Sequence, residues 1–168
     1  FVRIPRNSDF SVSNFTLAAW IKTSNAGAGR RRLVGYQESG TNGYWFMALN
    51  DNRLELGSYY DGILNTRGGL LNDGQWHFVA VVRDAAGATV RWVVDGVTVS
   101  TNVISSAQGY QTGEQDLYVG RLYSGGEAYL GQLDDVRIYE RALSDAALAA
   151  VMQPSMGEQL SLQVLSTG

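Results

Sequence analysis

Gly131-Gln132-Leu133-Asp134-Asp135-Val136-Arg137-Ile138-Tyr139 runs straight into Glu140-Arg141-Ala142-Leu143-Ser144. The first part alternates apolar and charged residues with the period of two expected of a half-buried β-strand. The second ends on a serine that can accept bonds from the orphan amides of a helix start, and Asp145 suits the positive end of that helix. The following Leu143–Val151 is the one helical stretch in the chain, and Pro154 ends it. A strand that carries two adjacent carboxylates therefore hands over to a short C-terminal helix.

Upstream, strand-like runs recur between turn signals. Phe1–Ile4 is short and apolar, and reads as a strand rather than a signal peptide, as expected of an excised domain or mature fragment. Phe15-Thr16-Leu17-Ala18-Ala19-Trp20-Ile21-Lys22 places Phe15, Leu17, Ala19 and Ile21 on one face. Leu33–Tyr36 follows a loop containing Arg30, Arg31 and Arg32. Asn42-Gly43 is a hairpin signal before Tyr44–Leu49, and Asp51-Asn52 separates that strand from Arg53–Tyr59. A loop-like segment then reaches Asn72-Asp73-Gly74. Gln75–Arg83, Thr89–Asp95, Val97–Val99, Leu117–Gly120 and Tyr129–Tyr139 complete the strands, with a long polar loop over 100–115. In the tail, Gln159–Leu165 alternates Leu160, Leu162 and Val164, so that 155–168 is either a final strand or the start of a linker. The expected fold is all-β: a two-sheet antiparallel sandwich (jelly roll) forming a single domain over 1–168, with one short C-terminal helix.

Composition narrows the function classes. The chain has 168 residues, 45% of them hydrophobic, with 20 Gly and 2 Pro, enough for one core. A net charge of -3 and a pI near 5.1 argue against a nucleic-acid partner and against a polybasic membrane anchor. No apolar run approaches the roughly 20 residues of a membrane-spanning helix. The absence of cysteine excludes thiol catalysis and Cys-zinc sites, and the single histidine, His77, excludes any site that needs two. His77 is read as structural.

The ordered set Phe15–Lys22, Asp73-Gly74-Gln75-Trp76-His77-Phe78-Val79-Ala80-Val81, Val94-Asp95-Gly96, Leu117-Tyr118-Val119-Gly120-Arg121 and Gly131–Ser144 resembles the laminin-G-like, concanavalin A-like jelly roll of the bacterial type, over about residues 1 to 152. Two departures stand out. The family usually opens one strand earlier, with a Phe-Asp-Gly segment. It also often has Glu where Ala147 stands, completing a capping box that is half missing here.

The resemblance implies a structural calcium ion at Asp134, since related glucanases use an Asp at the matching position with main-chain carbonyls. Strand alternation puts Asp134 on the face of Val136 and Ile138, inward, where a bare carboxylate is costly. The alternative is that Asp134 caps loop amides or pairs with an arginine. A shared catalytic role with Asp135 is not expected, because neighbours on a strand point to opposite faces. The Glu-x-Asp-x-x-Glu run of the related glucanases is also absent, so no enzyme activity is expected.

Sugars present apolar C–H faces to aromatic rings and hydroxyls to polar side chains. Trp20, Trp76 and Trp92 lie in strong strand patterns and read as core. Tyr59, Tyr60 and Asp61, at a strand end, are the leading ligand candidates, with Tyr44, Trp45, Tyr110 and Tyr123. Arg31 and its neighbours would grip an acidic sugar, or else form a solvated loop. The expected function is a non-catalytic carbohydrate-binding module, a monomeric part of a larger secreted or cell-surface bacterial protein. The alternative is a protein-binding or spacer domain, and a glycoside hydrolase or lyase is the remaining one.

Overall fold

The strand quoted first, Gln132–Tyr139 (β11), pairs antiparallel with Phe15–Lys22 (β2), which pairs in turn with Trp76–Asp84 (β7). This computed structural model describes residues 1–6, 12–36, 44–58, 62–65, 68–105 and 116–153. Thr89–Val94 (β8) and Val97–Val103 (β9) extend the sheet, giving the order β11-β2-β7-β8-β9. A second sheet has the order β1-β10-β3-β4-β5-β6. Its strands are β1 (Val2–Ile4), β3 (Arg30–Tyr36), β4 (Trp45–Asn50), β5 (Arg53–Ser58), β6 (Gly62–Asn65) and β10 (Leu117–Val119). Every pairing is antiparallel, and the two sheets form the expected sandwich with one helix, α1 (Asp145–Met152).

Alternation along the strands builds the core. Phe15, Leu17, Ala19 and Ile21 of β2 face inward with Val79 and Val81 of β7 and Trp92 of β8. They meet Val34, Trp45, Met47 and Leu56 of the opposite sheet. The other faces of β2 and β7 place Ala18, Phe78, Ala80 and Val82 under α1, which contributes Leu148 and, partly buried, Val151 and Met152. Small side chains at Ala18 and Ala80 let the helix come close to the sheet. Ser144 caps it, its hydroxyl accepting the Ala147 amide at 3.3 Å. Thr16 anchors the approach to the helix: its hydroxyl donates to Arg141 O at 2.9 Å and accepts from Leu143 N at 3.0 Å.

Three sequence expectations need correction. Arg30–Arg32 belong to β3 and not to a loop, and β6 lies inside a segment read as loop. The third concerns β11. Its pairing with β2 shifts register between Asp134 and Arg137, and Asp135 has φ +50°, a left-handed conformation. One extra residue in the strand resets the alternation. Leu133, Val136 and Ile138 all reach the inter-sheet core, while Asp134 lies opposite Trp20 on the outer face and is exposed.

Candidate functional site

Asp134 therefore does not share a face with Val136 and Ile138, and the burial argument for a calcium ion on it falls. Its Oδ1 accepts the Asp135 amide at 2.8 Å. Asp135 is held by Arg137 through two contacts, 2.6 Å from Nε and 2.5 Å from a terminal nitrogen. Calcium takes six to eight oxygen ligands. Among the described residues no group of three or more His, Asp or Glu side chains gathers to hold a metal.

The other predicted ligand residues are not brought together. Trp45 is 0% exposed and stacks on Phe15 between the sheets at 6.3 Å, so its ring cannot meet a ligand. Tyr44 is half-buried and stacks on Phe46 at 6.2 Å. Arg31 lies at the other end of the β3–β4 ladder, opposite Leu49, while Tyr36 opposite Trp45 marks the Tyr44 end. Five residues of strand, about 17 Å, separate them. The Arg31 guanidinium donates to Arg30 O at 2.9 Å. Tyr123 sits in the turn closed by Gly125 N to Leu122 O and Leu122 N to Gly126 O. Tyr59, Tyr60, Asp61 and Tyr110 lie outside the described residues, as does the tail from Pro154.

The outer face of the six-stranded sheet holds a constellation that the sequence reading missed. Phe46 points outward from β4, between Gly35 of β3 and Gly57 of β5 in cross-strand register. A Cβ on Gly57 would lie 2.1 Å from the Phe46 ring, and one on Gly35 would lie 2.4 Å from Phe46 Cβ. The two glycines thus leave bare backbone for the ring to lie across, the way an aromatic covers a strand glycine. Arg32 lies over the ring 3.3 Å from its centroid, and Arg30 at 5.0 Å. Arg30 pairs with Glu55, and Arg32 with Glu127; Arg30 also reaches Glu127 at 3.6 Å. Asn50 donates to Glu55 at 2.8 Å. Glu127 comes from the β10–β11 loop, which continues the pairing along β3: Gly120 N donates to Leu33 O and Arg32 N to Glu127 O.

The network is deeply set, with Glu55 0% and Arg32 3% exposed. Burial lowers the pKa of Arg32 despite its partner. In Arg30 burial also works downward, yet Glu55 and Glu127 outweigh it and the net shift is upward. Alternation would have revealed part of this, since Arg30 and Arg32 share a face once β3 starts at Arg30.

Trp76 corrects another expectation. It stands at the start of β7 and is 40% exposed, on the outer side of the five-stranded sheet. Its neighbour His77 is structural in its contacts. Nδ1 is 2.8 Å from Asp95 and Nε2 3.1 Å from Asp73, joining the turn before β7 to the β8–β9 turn. Burial would lower the imidazole pKa, but the two carboxylates raise it above 6.5 overall. A raised folded-state value means that this clamp stabilises fully below the unfolded pKa and loses its effect as pH rises through the folded one. The thermal midpoint should therefore fall between about pH 6 and pH 8 more steeply in the wild type than in His77→Gln. Equal slopes would show that the clamp is not coupled to folding.

A family model described as the concanavalin A-like lectin/glucanases superfamily, laminin G type 3, matches residues 1–149. No curated protein matches the chain. Among solved structures, it is similar to the CBM40 of the Ruminococcus gnavus IT-sialidase (TM-score 0.68, 16% identity, 85% of this chain and 84% of that one). It is similar to domain 4 of AbnA, an extracellular GH43 arabinanase of Geobacillus stearothermophilus, seen with arabinotriose (TM-score 0.67, 19% identity, 90% and 71%). Domains LG4-5 of the mouse laminin α1 chain match at TM-score 0.62 and 18% identity, over 86% of this chain. The chain spans 40% of that laminin structure and 40% of a Bacteroides ovatus chain that also matches. At such identities these likenesses concern the fold alone. Through the family match, which covers most of its length, the chain belongs to the concanavalin A-like lectin/glucanase superfamily.

Proposed function

We propose that the chain is a non-catalytic glycan-binding module of a secreted or cell-surface bacterial protein, such as an adhesin or a polysaccharide-degrading enzyme. The observation that carries this reading is the state of the carboxylates on the outer face of the six-stranded sheet, which no described helix covers. A glycoside hydrolase needs one carboxyl group to act as acid and another to act as nucleophile or base. Glu55 and Glu127 converge on Arg30, but Glu55 is wholly buried and both are held by guanidinium groups. Among the described residues of this face, both converging carboxylates are tied up in ion pairs and neither is free to act as acid or base. Structural neighbours support the same reading: the Ruminococcus gnavus CBM40 is recorded with α2,3- and α2,6-sialyllactose, and AbnA domain 4 with arabinotriose. Among the described residues no helix is long and apolar enough to cross a membrane.

A second reading is a protein-binding or spacer domain. A glycan array probed with the purified chain, in calcium and in EDTA, separates the two. Retention on at least one glycan class without product release is the expected result, and any loss of it in EDTA would point to a structural calcium ion. No retention in either buffer would favour the protein-binding reading, and release of reducing ends would restore the hydrolase.

A further inference from the structure

We propose that the outer face of the five-stranded sheet carries a separate platform for an uncharged sugar ring, centred on Trp76. This inference rests on the glycan reading and adds to it a site and a ligand class. Residues Gln132, Lys22 and Trp76 lie side by side across three strands, in the register Gln132↔Lys22↔Trp76. The next row is Asp134, Trp20 and Phe78. Three neighbouring strands span about 10 Å, room for a short oligosaccharide lying flat.

The bulge at Asp135 makes this row. Without it Asp134 would point inward; with it, the carboxylate stands outside, opposite Trp20. Helix α1 occupies the rest of this face, over Ala18, Phe78, Ala80, Val82 and Val93, with Trp20 partly buried against the cluster. Trp20 meets Phe78 edge-on at 5.7 Å and 65°, a packing that fixes both rings. Trp76 stays outside that cluster, and its large apolar surface remains 40% exposed. The indole N–H of Trp20 is itself buried and finds no acceptor among the described residues, so it does not face the ligand.

The chemistry selects the occupant. An exposed indole offers a flat apolar surface of the kind that stacks on the C–H face of a sugar. Across the same three strands stand an ammonium (Lys22), a carboxylate (Asp134) and an amide (Gln132), which donate and accept hydrogen bonds, while Asp73 in the turn before β7 is engaged by His77 at 3.1 Å. An apolar protein partner would leave Lys22 and Asp134 unpaired, and an anionic sugar would meet Asp134. A neutral, hydroxyl-rich ring satisfies all of them.

The full chain, titrated with arabinotriose, cellotriose and sialyllactose, tests this by calorimetry and tryptophan fluorescence. The wild type should bind a neutral trisaccharide with a shift in emission, and sialyllactose no better. Trp76→Ala should weaken that binding about tenfold or more without moving the thermal midpoint, whereas Trp76→Phe should retain most of it. If Trp76→Ala binds like the wild type while Tyr44→Ala does not, the platform is wrong and the glycan reading survives. If the wild type binds no sugar at all, both fall. Preference for sialyllactose overturns the neutral assignment. Failure of acrylamide to quench the emission that Trp76→Phe removes would mean that the chain covers its own indole. A dimer abolished by Trp76→Ala would make a second copy the occupant. Either result overturns the proposal.

Discussion

Trp45→Ala is expected to cost about 3–5 kcal/mol of stability, the largest loss from any single substitution considered for this domain. Trp45 is fully buried, stacked on Phe15 and packed with Met47 and Leu56 where the two sheets meet. Truncation removes the ring and leaves a void that the rigid sheets on either side cannot close. A domain of this size has roughly 5–15 kcal/mol in all. The thermal midpoint should fall by roughly 6–20 °C, given about 2–4 °C per kcal/mol for chains of this length. Denaturant unfolding followed by circular dichroism measures it. A shift of less than 1 kcal/mol would show that Trp45 is not the core residue described here. Glycan affinity per folded molecule should be unchanged, because the ring cannot reach a ligand.

The second large effect belongs to Glu55→Gln. The carboxylate is wholly buried on the outer side of the sheet, bonded by Arg30 and by Asn50. Removing one partner of a buried pair leaves a charge whose desolvation is no longer offset, a change that ordinarily costs about 3–5 kcal/mol. Arg30 is partly exposed and keeps Glu127 at 3.6 Å, so a smaller cost, about 2–3 kcal/mol, is the expected value here. The substitution should also loosen Arg30 over Phe46. Unfolding free energy should fall while affinity per folded molecule for the neutral trisaccharide stays, because Trp76 lies on the other sheet. Loss of affinity per folded molecule in step with stability would place the ligand on the Glu55 face and not beside Trp76.

Much of the fold was legible in the chain. Period-two alternation located β2, β7 and β11, and Ser144 marked the start of α1, because each of these is a local property. What escaped depends on neighbours far away in sequence. Asp135 occupies a left-handed bulge, and one such residue reverses the inside–outside assignment of everything before it, Asp134 included. Trp45 and Phe46 are adjacent aromatics, and their roles are set by which sheet face each meets. Trp45 went to the core, while Phe46 took the bare strip between Gly35 and Gly57. Arg30 and Arg32 read as a charged loop because their partners, Glu55 and Glu127, lie 25 and 95 residues away. Trp76 read as core from its apolar strand, yet it stands at the strand's first position, where the covering helix does not reach.

The central claim is that this member of a lectin and glucanase superfamily binds glycans without cleaving them. Incubating the purified chain with the polysaccharide it retains best, then assaying bound protein and released reducing ends in the same sample, tests it most directly. Retention that a soluble oligosaccharide of the same composition displaces, with no reducing ends formed, is the predicted outcome. Reducing ends that accumulate with time and vanish in Glu127→Gln would contradict it.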